Sequence, residues 1–174
     1  DVLVTLAQEV ENMIVSSADL SNSDKTDGFI KGGARNLVKG DFSGKFLQAG
    51  VAELTMAAIC NGIALHGGIH VACATFFVFS DYMKPAFRLS ALMQMPVKYI
   101  WTHDAFRVGE DGPTHQPIEH EAQLRLLEKM QNHAGKMSML ALRPADAAET
   151  SVAWKMAMEN TETPTALVLS RQNI

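Results

Sequence analysis

VAELTMAAICNGIALHGGIHVACATF, residues 51–76, sets the fold class. From Val51 to Leu65, small and apolar side chains fall on nearly every face, the pattern of a helix buried all round. Gly67-Gly68 stop it, because glycine accepts the backbone turn that closes a helix. From Ile69 to Phe76 the chain runs apolar without alternation, as a central parallel strand covered on both faces requires. A buried helix followed at once by a buried strand is the repeating unit of a parallel α/β sheet.

The same alternation extends outward in both directions. Upstream, Val2 to Val10 have helical apolar spacing, and Met13 to Ser17 read as a short buried strand. Ala18 to Asp41, rich in Ser, Asn, Asp, Lys and Gly, predict an irregular surface segment before a short strand around Lys45–Gly50. Downstream, Phe79 to Met93 predict a helix in which Pro85 forces a late start or a kink. Then come a strand at Val97–Thr102, an amphipathic helix at Glu119–Asn132, a strand at Lys136–Arg143, a helix at Ala145–Glu159 and a last strand at Thr165–Ser170. The expected fold is therefore α/β, a mostly parallel sheet with helices on both faces, forming a single domain over 1–174. Ligands in such sheets bind beyond the carboxyl ends of the strands. The polar groups there are Ser16 to Ser23, the loop His103 to His115, and Arg171-Gln172.

Bulk composition excludes several classes. With 174 residues, 47% hydrophobic, the chain is long enough for a real core. A net charge of −4 and the absence of a basic stripe interleaved with aromatics argue against nucleic-acid or anionic-membrane binding. The longest apolar runs, ATFFVF and MSMLAL, fall well short of the ~20 residues a membrane span needs. Cys60 and Cys73 sit in apolar segments and read as buried free thiols, which suits a cytoplasmic protein. Both ends stop abruptly and are expected to continue into a longer protein.

The richest chemistry lies in RVGEDGPTHQPIEHE, residues 107–121. His103, Asp104, Glu110, Asp111 and His115 share this loop and its approach, and such residues are common metal ligands. Their spacing fits no zinc or helical His-x-x-x-His pattern, and Gly109, Gly112 and Pro113 exclude helical presentation. Metal ligation, a solvated turn and hydrogen bonding to a polar substrate remain open on residue types alone. Glu53 opens an otherwise apolar helix. It either stabilises the helix dipole, worth ~0.3–1 kcal/mol, or is a shielded carboxylate able to share a proton with a ligand. In TFFVFSDY, the rings of Phe76, Phe77, Phe79 and Tyr82 fit a core cluster, though a strand–helix turn can also present a ring face to a flat heterocycle. His66 reads as a helix C-terminal residue beside a glycine cap, and His70, His120 and His133 carry no functional reading. The acidic side chains of Glu119–Glu128 read as a solvated face. No phosphate-cradling glycine loop and no serine- or cysteine-nucleophile motif is present.

THDAFRVGEDGPTHQPIE closely resembles a transketolase loop, and SSADLSNS, GVAELTMAAICNGIALHGG, ATFFVFSDYMKPAFRLSAL, LRPADAAETSVAWK and PTALVLSRQN resemble transketolase segments in the same order. The resemblance covers nearly the whole chain and points to the middle, pyrimidine-binding domain of thiamine diphosphate-dependent enzymes. It implies transfer of a two-carbon ketol unit between sugar phosphates, with the active site at a dimer interface. One subunit's first domain would hold the diphosphate and Mg²⁺ (or Ca²⁺), and this domain the aminopyrimidine. No metal ligand is expected in this chain, and the diphosphate-binding and C-terminal domains are expected to lie outside it.

Residue by residue, the resemblance makes Glu53 the carboxylate that hydrogen-bonds the pyrimidine nitrogen and promotes its imino tautomer. Phe79 would stack on that ring, with Phe76 and Tyr82 completing the pocket and Asp19 near the cofactor and the subunit interface. His103, Asp111 and His115 would contact the sugar, with His103 towards the phosphate end, and Ser23 and Arg171 would contact the phosphate. A guanidinium suits that task because its fork meets two oxygens at once. Ala52 stands where the family usually has Arg, and Phe106-Arg107 where a smaller pair, commonly Ile-Gly, is usual. A dihydroxyacetone synthase-like ketol transferase and a degenerate assembly or regulatory domain are the alternatives; the coincidence of GEDGPTHQP with SRQN favours transketolase. The partner is expected to be a second copy of the enzyme or a subunit carrying the diphosphate site, and this chain alone is expected to be inactive.

Overall fold

The structure is a computed structural model that describes residues 1–173. Its centre is the strand expected from the continuous apolar run. Strand β3, His70–Phe76, is buried at every position from Val71 onward. Around it lie β1 (Met13–Ser17), β2 (Phe46–Gln48), β4 (Lys98–Thr102), β5 (Leu140–Leu142) and β6 (Thr165–Val168) in the order β2-β1-β3-β4-β6-β5. Every pairing is parallel, so the sheet is α/β as expected.

Alternate side chains feed two cores. Val71, Cys73, Tyr99 and Trp101 point to one face, where α3 (Glu53–His66), α4 (Ser80–Met93) and α5 (His120–Lys129) add Met56, Cys60, Met83, Phe87 and Leu124. Ala72, Ala74 and Ile100 point to the other, covered by α1 (Val2–Glu9), α2 (Asp27–Lys31) and α6 (Ala147–Glu159) through Leu3, Phe29 and Trp154. Cys60 and Cys73 are buried free thiols.

A buried polar cluster fixes α3 against α4. Asn61 donates to the Ala86 carbonyl at 2.9 Å, the Ser90 hydroxyl donates to Asn61 Oδ1 at 2.5 Å, and the Tyr99 hydroxyl meets Ser90 at 2.6 Å. Gly67, at φ 85°, closes α3, and its N–H reaches back to the carbonyls of Ile63 and Ala64.

Several expectations shift. The segment 18–41 contains α2, a single helical turn and a half built on Phe29, which is fully buried. The β5 strand is only three residues, because Met137 and Ser138 fold back onto Gln131 and Met130 instead of extending the sheet. Asn132 Oδ1 closes the turn between them by accepting from the Ala134 and Lys136 N–H groups. Pro85 neither delays nor divides α4. The N–H it lacks would have bonded the carbonyl four residues back, at exposed Asp81 in the first turn. The α3 helix is not buried all round: Leu54, Ile59 and Leu65 on its outer side are exposed. Its apolar composition exceeds what this chain covers. Among the described residues, no helix is long and apolar enough to cross a membrane.

Candidate active site at the carboxyl edge of the sheet

The strand order places the carboxyl ends of β1, β3, β4 and β6 side by side. The chain leaves β1 through Ala18 and Asp19, β3 through the 3₁₀ turn Phe77–Phe79, β4 through His103, and β6 through Ser170 and Arg171. Asp19 and His103 both take the left-handed backbone, at φ 65° and 60°. Neither is glycine, so each conformation costs free energy that the surroundings offset.

Ala18, Leu20, Val51, Glu53, Phe79 and Tyr82 line a cleft of about 390 Å³. Glu53 is the first residue of α3 and only 8% exposed. Among the described residues, nothing donates a hydrogen bond or forms an ion pair to its carboxylate. Glu53 thus sits in the first turn of α3, where the helix dipole favours a carboxylate, and it is shielded from solvent. A shielded carboxylate without a protein partner is open to a ligand's hydrogen-bond donor.

Aromatic rings form a row leading away from this carboxylate. Tyr82, 62% exposed, stacks near Phe79 at 6.0 Å; Phe79 lies 5.9 Å from Phe76; Phe76 stacks on His103 at 3.6 Å. His115 approaches Phe79 edge-on at 5.3 Å. Of the four rings in TFFVFSDY, Phe77 packs into the core against Trp101 at 5.7 Å and Phe76 is also buried, as the core reading expects. Phe79 and Tyr82 instead line the cleft.

Beyond the row lies a charged cluster. Asp111 Oδ2 is 3.3 Å from Arg171 Nε and 3.9 Å from His103 Nε2, and Arg171 Nη2 donates to Glu110 Oε1 at 2.6 Å. That Asp111 oxygen is buried and accepts no hydrogen bond. His103 Nδ1 shares a 3.0 Å hydrogen bond with the Thr102 hydroxyl. Burial pushes the His103 imidazole down to about 4; Asp111 opposes this, while Arg171, His115 and Lys25 reinforce it. At neutral pH, His103 is uncharged and can accept or donate one hydrogen bond at Nε2. The exposed Glu110 carboxyl is held below its usual range by its own backbone N–H and by Arg171. Ser23 and Asp19 are exposed on the loop after β1.

The loop is held open from beneath. Buried Asp104 accepts from Arg143 Nη2 at 3.0 Å and Nε at 3.2 Å, and Arg143 also meets Glu121 at 3.6 Å. With His103 at φ 60°, Ala105 at 81° and Arg107 at 54°, this anchor and the bonds from Gln116 to the Ala105 carbonyl and from Gln172 to the Arg107 carbonyl hold an otherwise costly path. Asp104 is thus committed to Arg143, and the loop's His and carboxylate groups do not converge on one ion. Nor is Glu119–Glu128 merely a solvated face, since Glu121 and Glu128 brace Arg125.

Three polar groups escaped the sequence reading. Asp24, fully buried, accepts from the Ser17 hydroxyl at 2.6 Å, from Thr26 N–H at 3.0 Å and from the Thr26 hydroxyl at 2.6 Å. It pins the loop after β1. The Asp-x-Thr turn was its visible signal. Lys25 lies within this turn. His120 is buried, with Nε2 3.1 Å from Asp81 Oδ2 and 3.1 Å from the Val78 carbonyl, and so ties α5 to the Phe77–Phe79 turn. Nothing in its local sequence set it apart.

The family profile described as transketolase, pyrimidine binding domain, matches residues 1–174. This chain belongs to that family. It is 49% identical over all its 174 residues to a transketolase of Geobacillus stearothermophilus, of which it covers 24%. The structure resembles that of a Pichia stipitis transketolase in complex with sedoheptulose-7-phosphate, with a TM-score of 0.87 at 41% identity over 99% of this chain and 25% of that one. It also resembles a split-gene transketolase described as an inactive β4 tetramer, with a TM-score of 0.71 at 31% identity over 99% of this chain and 49% of that one. The chain thus spans about a quarter of the length of the curated relative. Of the two departures from the family pattern, Ala52 provides no side-chain cap to α3, and exposed Phe106 carries the Arg107 guanidinium 4.9 Å above its ring.

Proposed function

We propose that this chain supplies the pyrimidine side of a transketolase active site, which moves a two-carbon ketol unit from a ketose phosphate to an aldose phosphate. The carrying observation is Glu53, shielded, unpartnered and facing the Phe79–Tyr82 cleft. These residues fit an aminopyrimidine: a carboxylate for a ring nitrogen, and an aromatic face for the ring itself. Thiamine diphosphate, when bound, supplies the nucleophilic carbon that accepts the ketol unit. Glu53 hydrogen-bonds the ring nitrogen from a shielded position where water competes little for its oxygens. Phe79 and Tyr82 orient the ring and exclude solvent, with Phe76 behind them and Asp19 at the rim.

His103, neutral, and His115 offer imidazole nitrogens to the sugar hydroxyls, and the Asp111 carboxylate accepts from one of them. Arg171 and Ser23 take the phosphate. Glu110 and Asp111 hold the Arg171 fork in place before a substrate arrives.

The diphosphate and its Mg²⁺ (or Ca²⁺) belong to a domain outside this chain, carried by a second copy of the enzyme or a separate subunit. Exposed Leu54, Ile59, Leu65, Leu89 and Leu92 on α3 and α4 support such a partner, since a patch of this kind marks an interface. The split-gene relative supports it too. We place the enzyme in the cytoplasm, consistent with two reduced, buried thiols, and expect the isolated chain to be inactive. The test combines the chain with a diphosphate-binding partner, thiamine diphosphate, Mg²⁺ and a ketose phosphate. Ketol transfer should fall at least ~100-fold in Glu53→Ala. Transfer that is undiminished in that variant overturns the reading.

A further inference from the structure

We propose that Lys25 is a second cation of the phosphate subsite, setting the preference for phosphorylated over unphosphorylated ketoses; this rests on the function proposed above. Three observations place it there. Lys25 is exposed and sits in the left-handed region at φ 65°, a conformation unfavourable for a side chain of this kind unless its surroundings impose it. Asp24 imposes it: both its carboxylate oxygens are taken by Ser17 and Thr26, which locks the residues on either side of Lys25. The strained lysine is therefore presented by a rigid turn.

Its cavity adjoins the site through chain neighbours of His103 and Arg171. Lys25 shares the walls of a cavity of about 490 Å³ with Thr102, Ser170 and Gln172. Thr102 precedes His103 and bonds its imidazole, while Ser170 and Gln172 flank Arg171. The Lys25 charge is also felt at His103. Lys25 thus stands at the edge of the sheet where His103 and Arg171 meet, on the same loop as Ser23.

Ion pairing leaves this ammonium available. Arg171 is held by Glu110 and Asp111. Among the described residues Lys25 has no ion pair, so its charge is open to an incoming dianion.

The test uses the full-length enzyme with its cofactor, a ketose phosphate, and the same ketose without the phosphate. Lys25→Met should raise KM and the calorimetric Kd for the ketose phosphate about 10-fold. The kcat should stay within about twofold, and both constants for the unphosphorylated ketose should be unchanged. Lys25→Arg should restore most of the loss, and the salt dependence of KM should weaken in Lys25→Met. Equal changes for both ketoses, or none for either, would overturn the assignment while leaving ketol transfer intact. Lys25-dependent binding of the phosphate by an enzyme that transfers no ketol unit would uphold Lys25 and sink the catalytic reading instead.

Discussion

Replacing Lys98 with methionine should stabilise this fold at neutral pH and lose that advantage in alkali. Lys98 lies on β4, at the end of the sheet away from the proposed site, and is only 1% exposed. Its ammonium donates to the Pro96 carbonyl at 2.9 Å and lies 3.5 Å from His70 Nδ1; among the described residues no carboxylate pairs with it. Burial pulls its pKa from 10.5 down to about 8. A shift of about 2.5 units corresponds to ~3 kcal/mol of destabilisation at pH 7, where folding must bury the charged form.

Between pH 8 and 10.5 the unfolded chain binds the extra proton, so stability should rise with pH across that window. Methionine removes the charge but orphans the Pro96 carbonyl, at a cost of ~1 kcal/mol. The net gain at pH 7 is ~2 kcal/mol, or about 4–8 °C in Tm for a chain of this size. Above pH 10.5 the sign should reverse. Urea titrations of both proteins from pH 7 to 10.5, followed by circular dichroism, measure the difference. Tyr99, whose hydroxyl burial pushes well above its ordinary value, titrates alike in both and cancels. A difference that stays constant across this range, or a destabilised variant at pH 7, would refute the reasoning.

The other predictions concern the site. Arg143→Ala strands buried Asp104 and should cost ~2–3 kcal/mol, with proteolysis appearing first between His103 and Asp111; an unchanged urea midpoint counts against the anchor. NMR titration should find the His103 imidazole neutral down to about pH 4. Asp111→Asn should depress that value further, because Asp111 raises it, and Arg171→Met should lift it. Its folded pKa lies below the ordinary 6.5, so its own contribution to stability is present above 6.5 and is lost as pH falls from there to 4.

Much of this molecule is written locally. The continuous apolar run of Val71–Phe76, the glycine stop at Gly67 and the strand–helix alternation required only side-chain polarity and backbone freedom, both properties of neighbours in sequence. So did the placement of Glu53 in a first helical turn and of His103, Asp111 and Arg171 beyond strand ends. What Glu53 faces, by contrast, depends on Phe79 and Tyr82 arriving from another strand's exit. The same distance in sequence hid Asp104's commitment to Arg143, which lies 39 residues away. It also hid why a lysine on β4 is buried. Strand order alone brings the exits of β1, β3, β4 and β6 together. Polarity patterns fix which face of an element turns inward. Which elements become neighbours, and so which groups share a charge, a proton or a ligand, is settled only by packing across the sheet.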